Sequence, residues 1–309
     1  MKKIYHIRPV EQQTLWGSDK IIKLYGIKTA LANIGQLYHV IALPGHLDCV
    51  VEETEEPLST FYEKNPDLFD CPHKEFPIRM ATVCSVDNMS YQLHPNDEYA
   101  LEHEGCRGKV AGLVTIEETD DVSDTIFGNT AKSLDEFKAL VEAKDWEHLF
   151  GHVQWKDGDF LNTPTGVIHG VKGDGKIKIS FGTGGDVTYR FYDFERNDPK
   201  RPLQLEQVYD CVNIPEVPLG AIHVEPVQKG GMFQYDYYSA PNEYTAKRFR
   251  VETSGVFEMD EFMFFACTKG NGAINNVEIV PGQTLFVPAH YGPVTLSGKM
   301  ELFMISCPD

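Results

Sequence analysis

Short runs of apolar and β-branched residues, many alternating with polar ones, recur along most of the chain. Examples are LYHVIAL (37–43), FPIRMATV (76–83), MSYQLH (89–94), KVAGLVTI (109–116), KIKISF (176–181), VTYRFYDF (187–194), FMFFACT (262–268) and VEIVPGQTLFVPA (277–289). Each is bounded by Gly, Pro, Asn or Asp, and that pattern predicts strands. Helical periodicity is confined to a few places. In SLDEFKALVEAKDWEHLF, Ser133 and Glu136 have capping-box spacing, and Leu134, Phe137, Leu140 and Val141 fall on one face. A shorter helix is predicted over 57–69. The expected class is mainly β with a small helical insertion.

Two segments echo each other. DGDFLNTPTGVIHGVKG (157–173) and PGQTLFVPAHYGPVTLSG (281–298) share a glycine, a hydrophobic position and a proline in one frame, with Gly158 matching Gly282 and Pro164 matching Pro288. Such self-similarity predicts two copies of one β unit. His169 falls on Pro293 in that register, so only the first copy offers a histidine. Residues 195–222 are rich in proline and charge, which suits a connector. The expected organisation is therefore an N-terminal unit over 1–200 carrying the site and a helical segment near 131–150, a connector over 201–225, and a C-terminal unit over 226–309 without metal ligands.

Composition narrows the function. The chain has 46 acidic against 28 basic residues, a formal charge of −18, which argues against nucleic acid or an anionic membrane as partner. A small anionic substrate in a locally basic pocket stays compatible with that charge. No apolar run reaches the length of a membrane helix, and MKKIYHIRPVEQQTLWG has no signal-peptide core, so the expected address is the cytoplasm. The seven cysteines are scattered and never in CxxC spacing, which indicates free thiols rather than a disulfide framework or a thiolate zinc cluster.

The chemistry concentrates in two motifs. In QLHPND (92–97), Gln92 and His94 are two apart, so on a strand they face one side and can meet one ion. In GDFLNTPTGVIHG (158–170), the pattern Gly-Asp-x-hydrophobic, then Pro-x-Gly-x-x-His, resembles a cupin motif, which implies jelly-roll β units with His169 at a barrel mouth. The histidines at 46, 73, 103, 148, 152, 223 and 290 sit in no spaced constellation.

A fuller resemblance runs in order over almost the whole chain. LWGSDK (15–20), FPIRMATVCSVDNMSYQLHPNDEYA (76–100), the helix near 131–150, GDFLNTPTGVIHGV, DVTYRFYDFERND and GQTLFVPAHYGPVTLSG together resemble the short bacterial class I mannose-6-phosphate isomerases. The resemblance implies a zinc-dependent cupin enzyme, or one using another divalent metal, that interconverts mannose 6-phosphate and fructose 6-phosphate or a related C6-substituted sugar. It implies metal binding by Gln92, His94 and His169, a catalytic role for Arg190 with Asp186 preceding it, and a substrate contact at Lys109. The sequence also departs from the family. Its metal-binding glutamate is replaced by Ala111, GQLYH (35–39) stands where two carboxylates are usual, and Ala81 and Ser180 align with a lysine and a glutamate. His39, inside GQLYH, is the expected replacement for the lost carboxylates and a candidate substrate contact. Glu117 and Glu118 lie roughly 20 Å along an extended strand from position 111, too far to replace the glutamate. The alternative is a non-catalytic sugar-binding or regulatory cupin that has lost the metal site.

Overall fold

The computed structural model describes residues 2–117, 121–216 and 220–308. The chain is mainly β and forms two compact units, one from residues 1–84, 177–184 and 223–309, the other from 85–176 and 185–222. These are not the consecutive segments 1–200 and 226–309 expected from the sequence. The reason is antiparallel pairing between distant strands: Ile177–Thr183 pairs along its whole length with Ile78–Cys84, so the chain must return to the first unit after leaving it. Part of the expected connector is a helix, Leu205–Cys211, with Val208 fully buried in the second unit; positions 217–219 lie outside the described residues.

The first unit contains an eleven-stranded sheet among the described residues. At its centre Met263–Ile274 pairs with both Thr284–Val287 and Val294–Ser306. One face packs Met263, Phe265, Leu285, Leu302 and Met304 into a core. The other places Phe264 against Phe76, Phe262 and Phe286. Burial on both faces explains why FMFFACT is continuously apolar rather than alternating. A second set of strands runs Ile177–Thr183, Ile78–Cys84, Gln36–Val40 and Val10–Gln12, neighbours in that order.

The second unit holds an antiparallel sheet in the order Phe150–Lys156, Val122–Asn129, His169–Gly170, Tyr91–Leu93, Tyr189–Tyr192. The helix Leu134–Glu142 covers its core with Phe137 and Val141, and Ser133 caps it by accepting from the Glu136 amide at 3.2 Å, as the capping-box spacing predicts. The two echoed segments adopt the same local structure. Gly158 and Gly282 take φ of +87° and +88°, a turn that favours glycine, and each is followed by a strand, Phe160–Thr163 or Thr284–Val287. Among the described residues no helix is long and apolar enough to cross a membrane.

Candidate functional site

Three neighbouring strands of the second unit bring the sequence-selected residues into one row. Gln92 is the register partner of His169 on one side and of Arg190 on the other. Directly opposed residues in a sheet project from the same face with Cβ atoms about 5 Å apart. His94 follows Gln92 by two positions, and its ring centroid lies 4.9 Å from that of His169.

The backbone fixes how both imidazoles are presented. His94 Nδ1 lies 2.9 Å from the Val187 carbonyl and His169 Nδ1 lies 2.9 Å from the Val167 carbonyl. A carbonyl only accepts, so each Nδ1 carries a proton, and a neutral ring held in this way has its lone pair at Nε2. Burial lowers the His169 pKa to about 4, with the Lys109 charge adding to the effect, so this ring is neutral near pH 7. His94 is 1% exposed. Ser90 donates its hydroxyl to Gln92 Oε1 at 3.1 Å, which leaves that oxygen a second lone pair.

Cationic groups flank this set. Arg190 is held through its backbone by Gln204, whose Oε1 accepts from the Arg190 amide at 2.8 Å and whose amide donates to the Arg190 carbonyl at 2.9 Å. Its buried Nε has no hydrogen-bond partner. Burial and the Arg201 charge lower the Arg190 pKa, but a guanidinium still remains charged near neutrality. Lys109 donates its amide to the Pro95 carbonyl at 3.2 Å, one residue beyond His94.

No family model matches the chain. It is 29% identical over 315 residues to a probable mannose-6-phosphate isomerase of Bacillus subtilis, with 98% of each chain covered. A crystal structure of the mannose 6-phosphate isomerase from Bacillus subtilis superimposes with a TM-score of 0.90 at 22% identity, over 98% of this chain and 99% of the other. The chain is homologous to the mannose-6-phosphate isomerases. A further solved mannose 6-phosphate isomerase, bound with zinc and yttrium, shares the fold over the full length of both chains at a TM-score of 0.76 and 13% identity.

In this mannose-6-phosphate isomerase homologue Gln92, His94 and His169 are neighbours whose side chains carry the kinds of donor that could hold a divalent ion, two imidazoles and an amide oxygen. Catalytic zinc sites commonly use three protein ligands and leave a position open, so the donor set fits such an ion. The ion's charge would meet no carboxylate from position 111, because Ala111, paired with Thr163, ends in a methyl group. Glu118 lies outside the described residues. Ala81 and Ser180, the two other altered positions, face each other as register partners in the first unit.

His39 is placed differently from the five residues gathered in the second unit. It is fully buried in the first unit, with Nε2 2.8 Å from Thr82 Oγ1 and Nδ1 3.0 Å from Thr284 Oγ1. Both nitrogens are thus already engaged. Burial lowers its pKa to about 3 from an ordinary 6.5. On acidification the unfolded chain protonates this ring near pH 6.5, whereas the folded chain refuses the proton until about pH 3. The unfolded state binds more protons across that window, so His39 makes stability fall as pH falls through it. Replacing His39 with Gln should flatten the dependence of unfolding free energy on pH between 4 and 6 by about 1.4 kcal/mol per pH unit. Parallel wild-type and variant curves in urea denaturation would refute this.

Two features had no sequence signal. Gln204 sits in the expected connector, and nothing in RPLQL marks it as the residue that holds Arg190. Cys71, His73 and Cys307, in the first unit, have ligand atoms all within 4.8 Å of one another. That cluster corrects the reading of the cysteines and of His73 as unconnected: residues far apart in sequence meet only through folding.

Proposed function

We propose that this protein is a metal-dependent aldose–ketose isomerase acting on mannose 6-phosphate and fructose 6-phosphate, or on a related sugar substituted at C6. The observation that carries the reading is the pair of imidazoles, His94 and His169, each locked by a backbone carbonyl with Nε2 as the lone-pair atom, beside Gln92 and Arg190. Gln92, His94 and His169 would hold the ion, and zinc is the metal we favour because imidazole and amide donors suit it and a zinc-bound relative shares the fold. When bound, the ion supplies Lewis acidity toward the sugar oxygens.

Isomerisation moves a proton between C1 and C2 through an enediol, and negative charge develops on the oxygens as it does so. Arg190 supplies a planar cation whose Nε is not committed to any protein acceptor, suited to those oxygens or to the phosphate. Lys109 adds a second positive charge beside His169, which suits an anionic substrate in a chain of negative overall charge. The finer architecture we infer is two cupin-type jelly-roll units, supported by the echoed turn and strand at 157–173 and 281–298. We also propose a cytoplasmic address, in keeping with cysteines scattered in the sequence and never in CxxC spacing.

The deciding experiment is an isomerase assay with mannose 6-phosphate on protein of measured metal content. Turnover should be lost on removing the metal with a chelator and restored by adding zinc back. Ala111 favours the other reading, a sugar-binding protein without catalysis. Absence of turnover for every aldose and ketose tested on zinc-loaded protein would establish that reading. Arg190→Lys should keep its metal yet lower kcat/KM about 10²-fold, because an ammonium keeps the charge but loses the fork of donors. A change under twofold would remove Arg190 from the reaction.

A further inference from the structure

Cys71 and His73 lie in the loop that follows the short helix Pro66–Phe69, and Cys307 directly follows the long strand Val294–Ser306. Both sides are anchored by contacts that involve no ion. The loop leaves its helix through Asp70 at a φ of +41°, Tyr62 donates its hydroxyl to the His73 carbonyl at 2.6 Å, and Leu68 accepts from the Ala289 amide at 2.8 Å. His290 lies 2.6 Å from Asp70. On the other side Ser306 donates its hydroxyl to the Phe262 carbonyl at 2.6 Å, and the Asn242 amide donates to the Pro308 carbonyl at 3.1 Å.

We propose that Cys71, His73 and Cys307 form a second metal site, which takes a thiophilic divalent cation of the zinc type through two thiolates and one imidazole. Their ligand atoms lie within 4.8 Å of one another. Around a tetrahedral zinc, with Zn–S of about 2.3 Å and Zn–N of about 2.0 Å, neighbouring ligand atoms stand roughly 3.5–3.8 Å apart. The contraction required is about 1.3 Å at most, within the reach of side-chain rotation. Sulfur donors select zinc-type over magnesium-type ions, and this set differs from Gln92, His94 and His169, which holds no sulfur. Binding displaces both thiol protons, so uptake strengthens as pH rises. Cys307 is buried while Cys71 and His73 are half-buried, which leaves the fourth position accessible to water. The site would tie the 70–75 loop to the end of the chain.

The test is a titration of reduced full-length protein with cobalt(II) alone, read by the near-ultraviolet thiolate-to-cobalt charge-transfer band. We expect a band that saturates at about one cobalt per chain. It should persist in His94→Ala, so the outcome is independent of the proposed isomerase site. Cys71→Ser, at a half-buried position that tolerates the change, should weaken cobalt binding at this site at least about tenfold. Cys307→Ser should abolish the band. Absence of a band in the wild type, or an unchanged band in Cys71→Ser, overturns the proposal. So does loss of two titratable thiols on air oxidation without any metal uptake by the reduced protein, which would make Cys71 and Cys307 a redox pair instead.

Discussion

His94→Ala and His169→Ala are each expected to lose about one metal ion per chain and to lower isomerase kcat/KM by about 10³-fold or more. The size of the effect follows from how few donors there are. With Ala111 in place of a carboxylate, three neutral groups would hold the ion, and removing one leaves two. Each substitution also strands a backbone carbonyl, at Val187 or Val167, that now accepts from Nδ1. A stability cost is therefore expected as well, and thermal unfolding of the variants separates it from the loss of metal. Elemental analysis is the decisive readout, because a purely structural histidine would leave metal content unchanged. Full metal content and full activity in both variants would eliminate this pair as ligands.

The largest expected loss of stability lies in the first unit. Arg248 and Glu301 are 4% and 5% exposed and face each other at 2.5 Å between neighbouring strands. Burial works against the Arg248 charge, and the facing Glu301 carboxylate outweighs it, so the guanidinium pKa is raised. Thr268 donates to Glu301 at 3.2 Å, and the guanidinium lies over the rings of Tyr235 and Phe303 at 5.1 and 5.7 Å. Glu301→Ala removes the anion but leaves the cation inside. It should destabilise the protein by about 3–5 kcal/mol in chemical denaturation. Replacing both residues, Arg248→Met with Glu301→Leu, should recover most of that loss, since no buried charge is then left unpaired. A cost under about 1 kcal/mol for Glu301→Ala would mean that water reaches the guanidinium.

The strands were legible because a strand's periodicity is local. LYHVIAL, FPIRMATV, KIKISF and FMFFACT each carry enough β-branched and aromatic residues to declare themselves, and Ser133 with Glu136 marks a helix start in four residues. The expectation that Gln92 and His94 share a face rests on the same local periodicity. That His169 and Arg190 belong to one site with Gln92 was implied by resemblance to a family; their register on either side of Gln92 came from the structure. Spacing could not supply it, since the register of three strands joins residues far apart in the chain.

By itself, the sequence determined the mainly β class, a helix near 131–150, the repeated turn at Gly158 and Gly282, and the absence of a carboxylate at position 111. These depend on residue identity and on neighbours a few positions away. Only the tertiary structure decided that each compact unit is assembled from separate stretches of the chain, because the pairing of Ile78–Cys84 with Ile177–Thr183 is non-local. It also decided that His39 spends both nitrogens on Thr82 and Thr284, that carbonyls from Val187 and Val167 set the imidazole tautomers, and that Cys307 reaches Cys71 and His73. Burial, tautomer and convergence are properties of what surrounds a side chain, and the surroundings are assembled from strands that meet only in the folded protein.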